Sequence, residues 1–191
     1  MTTGGGAARP LPTAWSALGL LRRHWRPAYL AAAVATAVNT VPDVARQVLV
    51  WDDSRVSAAL FVDVVGFSTG VLAQLWVTGA LAAVPGDGRL RPRAALPRGA
   101  GLAWAAVRSA PGTVATGVVL GGAVSALLTL PASVAAIGLH RVVGPLDRPP
   151  VGSFALASLS DVVASVVTLP FLALVLVLAA QRRLAPRPSG Q

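Results

Sequence analysis

The stretch 159-LSDVVASVVTLPFLALVLVLAAQRR-183 decides the fold class of this protein. Asp161 stands before a run of uncharged residues, 162–180, and Arg182 and Arg183 follow that run. A helix needs roughly 20 apolar residues to cross the hydrocarbon core of a bilayer, at about 1.5 Å per residue. The stretch therefore predicts a transmembrane helix with a carboxylate at one boundary and arginines at the other.

The composition of the whole chain supports a membrane location. Of its 191 residues, 54% are hydrophobic and 12% are charged, whereas about a quarter of residues are charged in ordinary soluble domains. The mean hydropathy is +0.68. All basic residues are arginine and all acidic residues are aspartate. That bias is typical of high-GC bacteria, so we expect a multi-pass protein of a bacterial plasma membrane.

Four apolar segments are long enough to span a bilayer. They cover residues 28–50, 57–84, 112–139 and 153–180. Two shorter segments with aromatic and basic residues, at 13–30 and 102–112, are typical of helices that lie at the membrane surface. The sequence thus predicts an all-α integral membrane bundle of four transmembrane helices with short interfacial helices.

The predicted organisation has two similar halves. Dipeptides of Ala and Trp recur at residues 14–15 and 103–104, and Thr-x-Pro recurs at 40–42 and 129–131. We therefore expect two hairpin repeats of parallel orientation. The predicted boundaries are a disordered leader at 1–12, a first half at 13–84, a basic linker at 85–101, a second half at 102–184 and a disordered tail at 185–191.

Arginine placement predicts the orientation. The N-terminal region, the central linker with its helix, and the C-terminal tail hold twelve arginines, and the two other loops hold four. Cytoplasmic loops carry the excess of basic residues, so we expect both termini in the cytoplasm. The net charge of +9 is explained by contact with anionic lipid, and we expect no nucleic-acid partner. The arginines expected to contact headgroups are Arg22, Arg23, Arg89, Arg91, Arg93, Arg182 and Arg183.

A polar set interrupts the first apolar segment. Asn39, Asp43 and Arg46 share one helical face, and Asp43 and Arg46 are spaced to form an ion pair. The set has two interpretations. It is either a small polar site for an ion or a headgroup, or a kinked helix end whose charges reach the outer interface, and the spacing favours the second.

Asp63 and Asp161 pose a similar choice. Each precedes an uncharged run long enough to cross the bilayer, so we expect both at the outer boundary as caps of helix N-termini. Apolar residues also precede each aspartate. If the helices begin earlier, the carboxylates lie further inward and face Arg46 or Arg141 across the bundle.

The chain has few residues suited to catalysis. It contains no cysteine and two histidines, His24 and His140, which the topology places at opposite sides of the membrane. No nucleotide-binding loop, zinc-protease motif or nucleophile elbow occurs. We therefore expect no catalytic set, no metal site and no cofactor.

The last part of the chain, 157-ASLSDVVASVVTLPFLALVLVLAAQRRL-184, resembles the membrane domain found with bacterial glycerophosphoryl diester phosphodiesterases. The central proline and the basic end match, while the aromatic and acidic residues before that end are missing. In that family the phosphodiesterase chemistry belongs to a separate soluble domain. The resemblance therefore implies a multi-pass helical architecture and transfers no catalytic residues.

Three function classes stay open. The sequence favours an accessory or scaffold subunit that acts through lipid and helix contacts, as a homo-oligomer or with a partner membrane protein. The alternatives are a component of a small-molecule or lipid transporter and a lipid-modifying membrane enzyme. The position of Asp63 and Asp161 discriminates among them, since a shared hydrated cavity favours transport or ligand binding.

The orientation can be tested directly. A C-terminal fusion to a reporter that is active only outside the cytoplasm is expected to give no signal, because the basic regions hold both termini inside. The same reporter inserted after Gly144, in the second outer loop, is the control that should be active. A strong signal from the C-terminal fusion would contradict the four-span topology.

Overall fold

The computed structural model describes residues 10–184, which form helices and no strand. Eight helices are present in this part of the chain: α1 (Pro10–Arg23), α2 (Trp25–Leu49), α3 (Val56–Ala80), α4 (Val84–Asp87), α5 (Ala95–Ser109), α6 (Pro111–Ile137), α7 (Leu139–Val142) and α8 (Val151–Leu184). Four stretches, α2, α3 continuing into α4, α6 and α8, are long and apolar enough to cross a membrane. The predicted all-α class, with four helical stretches long and apolar enough to span a membrane, is confirmed.

The four long helices run alternately up and down. The α2–α3 connection and the α6–α8 connection meet at one end of the bundle, here called the loop face. There the backbone N–H of Arg148 donates to the carbonyl of Trp51 at 3.1 Å. The rings of Trp51 and Phe154 meet edge to face with centroids 5.0 Å apart. The opposite end, which carries α1, α4 and α5, is called the terminal face.

Helix α8 is the centre of the bundle. It packs against α1, α2, α3, α5 and α6. Leu174, Val175 and Val177 of α8 are fully buried, as are Val77 and Leu81 from the end of α3. In lipid, such contacts stabilise by close packing and not by removal of apolar surface from water. The terminal-face half of the bundle therefore has a tightly packed apolar core.

The outer surface of the spans is apolar. Large side chains such as Phe61, Phe67, Val119 and Leu127 are more than half exposed. A soluble domain rarely leaves so many large apolar groups in water. Their distribution over α2, α3, α6 and α8 gives the bundle the surface that a transmembrane protein presents to lipid.

Helices α3 and α5 approach closely at two glycines. A Cβ built on Gly79 would overlap the carbonyl oxygen of Ala95, and a Cβ built on Gly99 would overlap the carbonyl oxygen of Leu75. Backbones can approach this closely only where side chains are missing. This contact fixes α5 across the terminal end of α3.

The linker arginine Arg98 closes the end of α3. Its guanidinium donates to the carbonyl of Gly79 at 3.1 Å and to that of Arg91 at 2.9 Å. The backbone N–H of Arg91 donates to the carbonyl of Ala80 at 2.9 Å. The last carbonyls of a helix have no partner within the helix. Arg98 satisfies that of Gly79, the backbone N–H of Arg91 satisfies that of Ala80, and both bonds hold the linker against α3.

Two helices begin before the predicted boundaries. Helix α1 begins at Pro10, inside the predicted leader, and helix α5 begins at Ala95, inside the predicted linker 85–101. Prolines at positions 10 and 97 explain both differences, because a proline in the first turn loses no helical hydrogen bond. Residues 1–9 and the predicted tail at 185–191 lie outside the described residues.

The glycine contact predicts a stability effect. Gly79→Ala is expected to destabilise the bundle by about 1–3 kcal/mol, because the added methyl overlaps a backbone carbonyl that cannot rotate away. Thermal unfolding in detergent measures the effect. Gly70→Ala is the matched control in the same helix, since nothing lies within 4 Å of its Cβ position. Equal melting temperatures for the two variants would refute the close approach.

Candidate functional site

Asp63 and Asp161 do not cap helices, contrary to the first expectation. Helix α3 begins at Val56, after Arg55, and helix α8 begins at Val151. The two prolines before Val151 set the start of α8 because a proline fits the beginning of a helix but not its interior. Asp161 thus lies about 15 Å along its helix and Asp63 about 10 Å along its own.

All four spans contribute to one cavity, which opens at the loop face and has a volume of about 300 Å³. We call it the loop-face cavity. Its polar lining comes from α2, α3, α6 and α8 and from the two connections. The charged and hydroxyl-bearing side chains are Asp43, Arg46, Asp53, Asp63, Thr129, Ser133, Arg141, Ser158 and Asp161. The alternative expectation was that the two aspartates lie further inward and face Arg46 or Arg141, and both arginines line the same cavity as the aspartates.

Arg46 connects α2 to α3. Its guanidinium forms an ion pair with Asp43, with one hydrogen bond from Nε to Oδ1 at 2.9 Å. It also donates to the carbonyl of Val62 and lies against Gly66. The Arg46 side chain is 14% exposed and that of Asp43 is 24% exposed, so the pair is largely removed from solvent. The predicted pairing of these two residues is present.

The second arginine of the cavity is held by carbonyls. Arg141 donates from Nε to the carbonyl of Leu146 at 2.8 Å, and its terminal nitrogens donate to the carbonyls of Ile137 and Asp147 at 3.4 and 3.3 Å. No carboxylate among the described residues pairs with it. Its positive charge is therefore fixed in place while remaining uncompensated.

Asp53 lies at the mouth of the cavity and is paired with Arg55. Hydrogen bonds from the Arg55 side chain and from its backbone N–H lower the pKa of Asp53 to about 2. The ion pair is exposed to solvent on the arginine side. Asp53 is thus ionised at neutral pH, and Arg55 already compensates its charge.

Among the carboxylates that line the cavity, Asp63 and Asp161 have no partner. Neither has a hydrogen bond or an ion pair with any described residue, and both residues are exposed. Asp161 interacts electrostatically with both Asp43 and Arg46. Since Asp43 and Arg46 compensate each other, the cavity holds two uncompensated negative charges and one positive charge. It therefore favours a ligand with a positive group.

Asn39 was predicted to belong to this site and does not. It lines a separate apolar groove between α2 and α3, together with Pro42 and Trp76. Asn39 precedes Arg46 by two helical turns and so lies about 10 Å nearer the start of α2. Arg46, which reaches Gly66 on α3, closes the space between the two helices at its own level. Depth along the helix, and not the shared helical face, separates Asn39 from the cavity.

Sequence reasoning missed the hydroxyl groups of the cavity. Thr129 and Ser133 are four residues apart on α6, and Ser158 precedes Asp161 by three residues on α8. These spacings place each pair on one helical face. The signal was therefore present in the sequence, but nothing in it shows that these faces meet the one carrying Asp43.

The histidines lie at opposite faces. His24 lies near Gly88 at the terminal face, and His140 belongs to α7 at the loop face. Within residues 10–184 no group of three histidine or aspartate side chains is arranged to hold a metal ion. The comparisons with known proteins add no relative, since no protein-family model, no curated protein and no solved structure matches the chain.

Arg46 is predicted to stabilise the bundle. Arg46→Gln leaves the half-buried carboxylate of Asp43 without its counter-ion, and we expect a loss of about 2 kcal/mol or more. Chemical or thermal unfolding in detergent micelles measures it. Arg55→Gln is the control, because Arg55 is an exposed arginine in the α2–α3 connection that also pairs with an aspartate, and we expect a much smaller loss from removing it. Equal losses in the two variants would contradict the role given to Arg46.

Proposed function

We propose that this chain is a non-enzymatic accessory subunit of a bacterial inner membrane that binds a small ligand carrying an amine or other cationic group in the loop-face cavity. One observation carries the proposal. Asp63 on α3 and Asp161 on α8 line the same cavity, and neither is paired with a described side chain. Intramembrane or boundary carboxylates left in this state favour a functional role.

The depth of Asp161 makes the cavity reachable from the aqueous side. The uncharged residues 162–180 extend about 30 Å as a helix and so cover the hydrocarbon core. Asp161 then lies where the core ends, and the first turns of α8 project beyond it. A charged ligand reaches the carboxylates without crossing hydrocarbon.

The closed terminal half of the bundle favours an accessory role over a channel. Below the cavity the fully buried side chains of Val77, Leu81, Leu174 and Val175 fill the space between α3 and α8. A single chain thus offers a binding site and no path across the membrane. A second copy of the chain, or a partner membrane protein, would be needed to form such a path.

The finer architecture belongs to the same proposal. Helices α2 and α3 form one hairpin and α6 and α8 the other, with both termini in the cytoplasm. The packing of α5 on α3 has a counterpart in the packing of α1 on α8, as two parallel repeats require. The side chains of Arg22, Arg23, Arg89, Arg91 and Arg93 are exposed at the terminal face, where anionic headgroups would meet them; those of Arg182 and Arg183 lie outside the described side chains.

Ligand binding is tested on the purified chain in detergent. Ethanolamine and phosphoethanolamine are titrated while the melting temperature is followed. Inorganic phosphate is the control ligand that carries the anion without an amine. We expect the two amines to raise the melting temperature and phosphate to leave it unchanged. Asp161→Asn and Asp63→Asn should each weaken amine binding about tenfold, because a hydrogen bond to a charged group contributes on the order of 1.5–3 kcal/mol.

Asp147→Asn is the matched control. It removes the same charge at the loop face, and its residue does not line the cavity. Asparagine also tolerates the left-handed backbone found at this position, where φ is 46°. Stabilisation by phosphate but not by the amines, or an equal loss in the control, would overturn the proposal.

A component of a transporter is the second candidate function, favoured by the placement of carboxylates within two candidate spans. It predicts uptake of labelled ethanolamine into liposomes that contain the chain. Binding without uptake would leave the accessory role as the function of the isolated chain, and uptake that Asp161→Asn abolishes would establish transport.

A further inference from the structure

A second concave surface, independent of the loop-face cavity, runs along the outside of the bundle. It lies between α2 and α3 and is bounded by the start of α5, with a volume of about 420 Å³. We call it the lateral groove. Its lining is almost wholly apolar: Val34, Ala35, Val38, Asn39, Pro42, Thr69, Leu72, Ala73, Trp76 and Leu96.

We propose that the lateral groove binds one acyl chain of an anionic phospholipid from the terminal-face leaflet, with the headgroup at the arginines that precede α5. The proposal does not rest on the function assigned to the loop-face cavity. It names a lipid with two recognisable parts, an apolar chain and a negatively charged headgroup, and each part has its own observation.

The length of the groove is close to the thickness of one leaflet, as an acyl chain requires. From Val34 to Pro42 on α2 the groove runs about 12 Å, at 1.5 Å per residue. One leaflet of the hydrocarbon core is about 15 Å thick. Trp76 and Leu96 lie towards the terminal face, while Thr69 lies near the middle of α3. An acyl chain that enters beside Leu96 can therefore follow the groove towards Pro42, one turn before Arg46.

The shape favours an acyl chain over a partner helix. Val38 and Leu72 are 69% and 52% exposed and form the rims, while Ala35 and Ala73 form the floor. A helix is about 10–12 Å wide with its side chains, and a helix seated here would have to continue towards the loop face. There the groove ends, because Arg46 extends from α2 to Gly66 on α3.

The charge at the groove entrance fits an anionic headgroup. Arg93 lies three residues before Leu96, and Arg89 lies four residues before Arg93. Both side chains are exposed and neither forms an ion pair with a described residue, although the backbone N–H of Arg89 donates to the carboxylate of Asp87 at 3.0 Å. Arg91, between them, is paired with Asp87. Helix α5 also begins without a side-chain cap, so its positive dipole end adds to the same region.

The groove is fixed by contacts already described. Gly79 and Gly99 hold α5 across α3, so that Leu96 lies at the entrance. Arg98 is occupied by the carbonyls of Gly79, Arg91 and Arg93 and is therefore a structural residue of the entrance. The surface that the lipid contacts is therefore already formed before the lipid binds.

Native mass spectrometry of the full chain tests the proposal. The chain is released from detergent after equal exposure to phosphatidylglycerol and to phosphatidylcholine with the same acyl chains. We expect one phosphatidylglycerol to be retained on the monomer in preference to phosphatidylcholine. Glycerophosphoglycerol, which has the same headgroup without acyl chains, should not be retained, because most of the contact area is apolar. Retention of this headgroup alone would overturn the assignment of the groove.

Two variants with matched controls locate the lipid. Val38→Trp fills the groove from its rim and should abolish retention, whereas Val41→Trp places the same side chain on the same helix at an exposed position outside the groove. Arg93→Gln should lower retention of phosphatidylglycerol about fivefold, since each arginine near an anionic headgroup contributes on the order of 1 kcal/mol. Arg55→Gln, at the opposite face, should have no effect.

Other outcomes would overturn the proposal. Equal retention of the two phospholipids would exclude headgroup recognition at the arginines. Unchanged retention in Val38→Trp, with an unchanged melting temperature, would place the lipid elsewhere. A dimer that carries no lipid and is broken by Val38→Trp would show that a second copy of the chain covers the groove.

Discussion

The long polar side chains between the helices are the constraint on which this bundle depends. In lipid no water is available to accept their hydrogen bonds, so backbone carbonyls of neighbouring segments accept them. Arg46 of α2 donates to Val62 of α3, Gln74 of α3 donates to Leu169 of α8 at 3.4 Å, and Gln181 of α8 donates to Ala82 at 3.3 Å. Long polar side chains thus connect α2 to α3, and α3 to α8 at two depths. Interhelical hydrogen bonds of this kind contribute about 0.6 kcal/mol each in membranes, so their main effect is to select the register in which the apolar surfaces pack.

That register produces two different halves. At the terminal face, small and branched residues of α8 pack against the end of α3, and the glycines at 79 and 99 bring α5 into backbone contact. At the loop face, the spans separate around the loop-face cavity, and the ring of Trp51 in the α2–α3 connection packs against that of Phe154 at the start of α8. The charged side chains of the spans line the loop-face cavity. The terminal-face half is filled by buried apolar side chains.

The sequence predicted the elements well and their relations less well. Four spans followed from the length of the apolar runs, and the pairing of Asp43 with Arg46 followed from helical spacing. The length count for Asp161 placed it at the membrane boundary but treated that boundary as the helix start. Helix α8 in fact begins at Val151, because the two prolines before it set the start of the helix. The sequence could not show that Asp63 and Asp161 share a cavity, since that depends on how α3 and α8 rotate against each other.

The two concave surfaces are physically separated by one side chain. Arg46 is one of the charged residues that line the loop-face cavity. Its guanidinium also lies against Gly66 of α3 and so closes the loop-face end of the lateral groove. A polar ligand above Arg46 and an acyl chain below it would therefore contact opposite sides of one residue. The ion pair with Asp43 anchors that residue to α2 and its bond to Val62 anchors it to α3, so a ligand on either side can influence the other only by changing the separation of these two helices. Binding at one proposed site would therefore affect binding at the other through the α2–α3 hairpin and not through the packed core around α8.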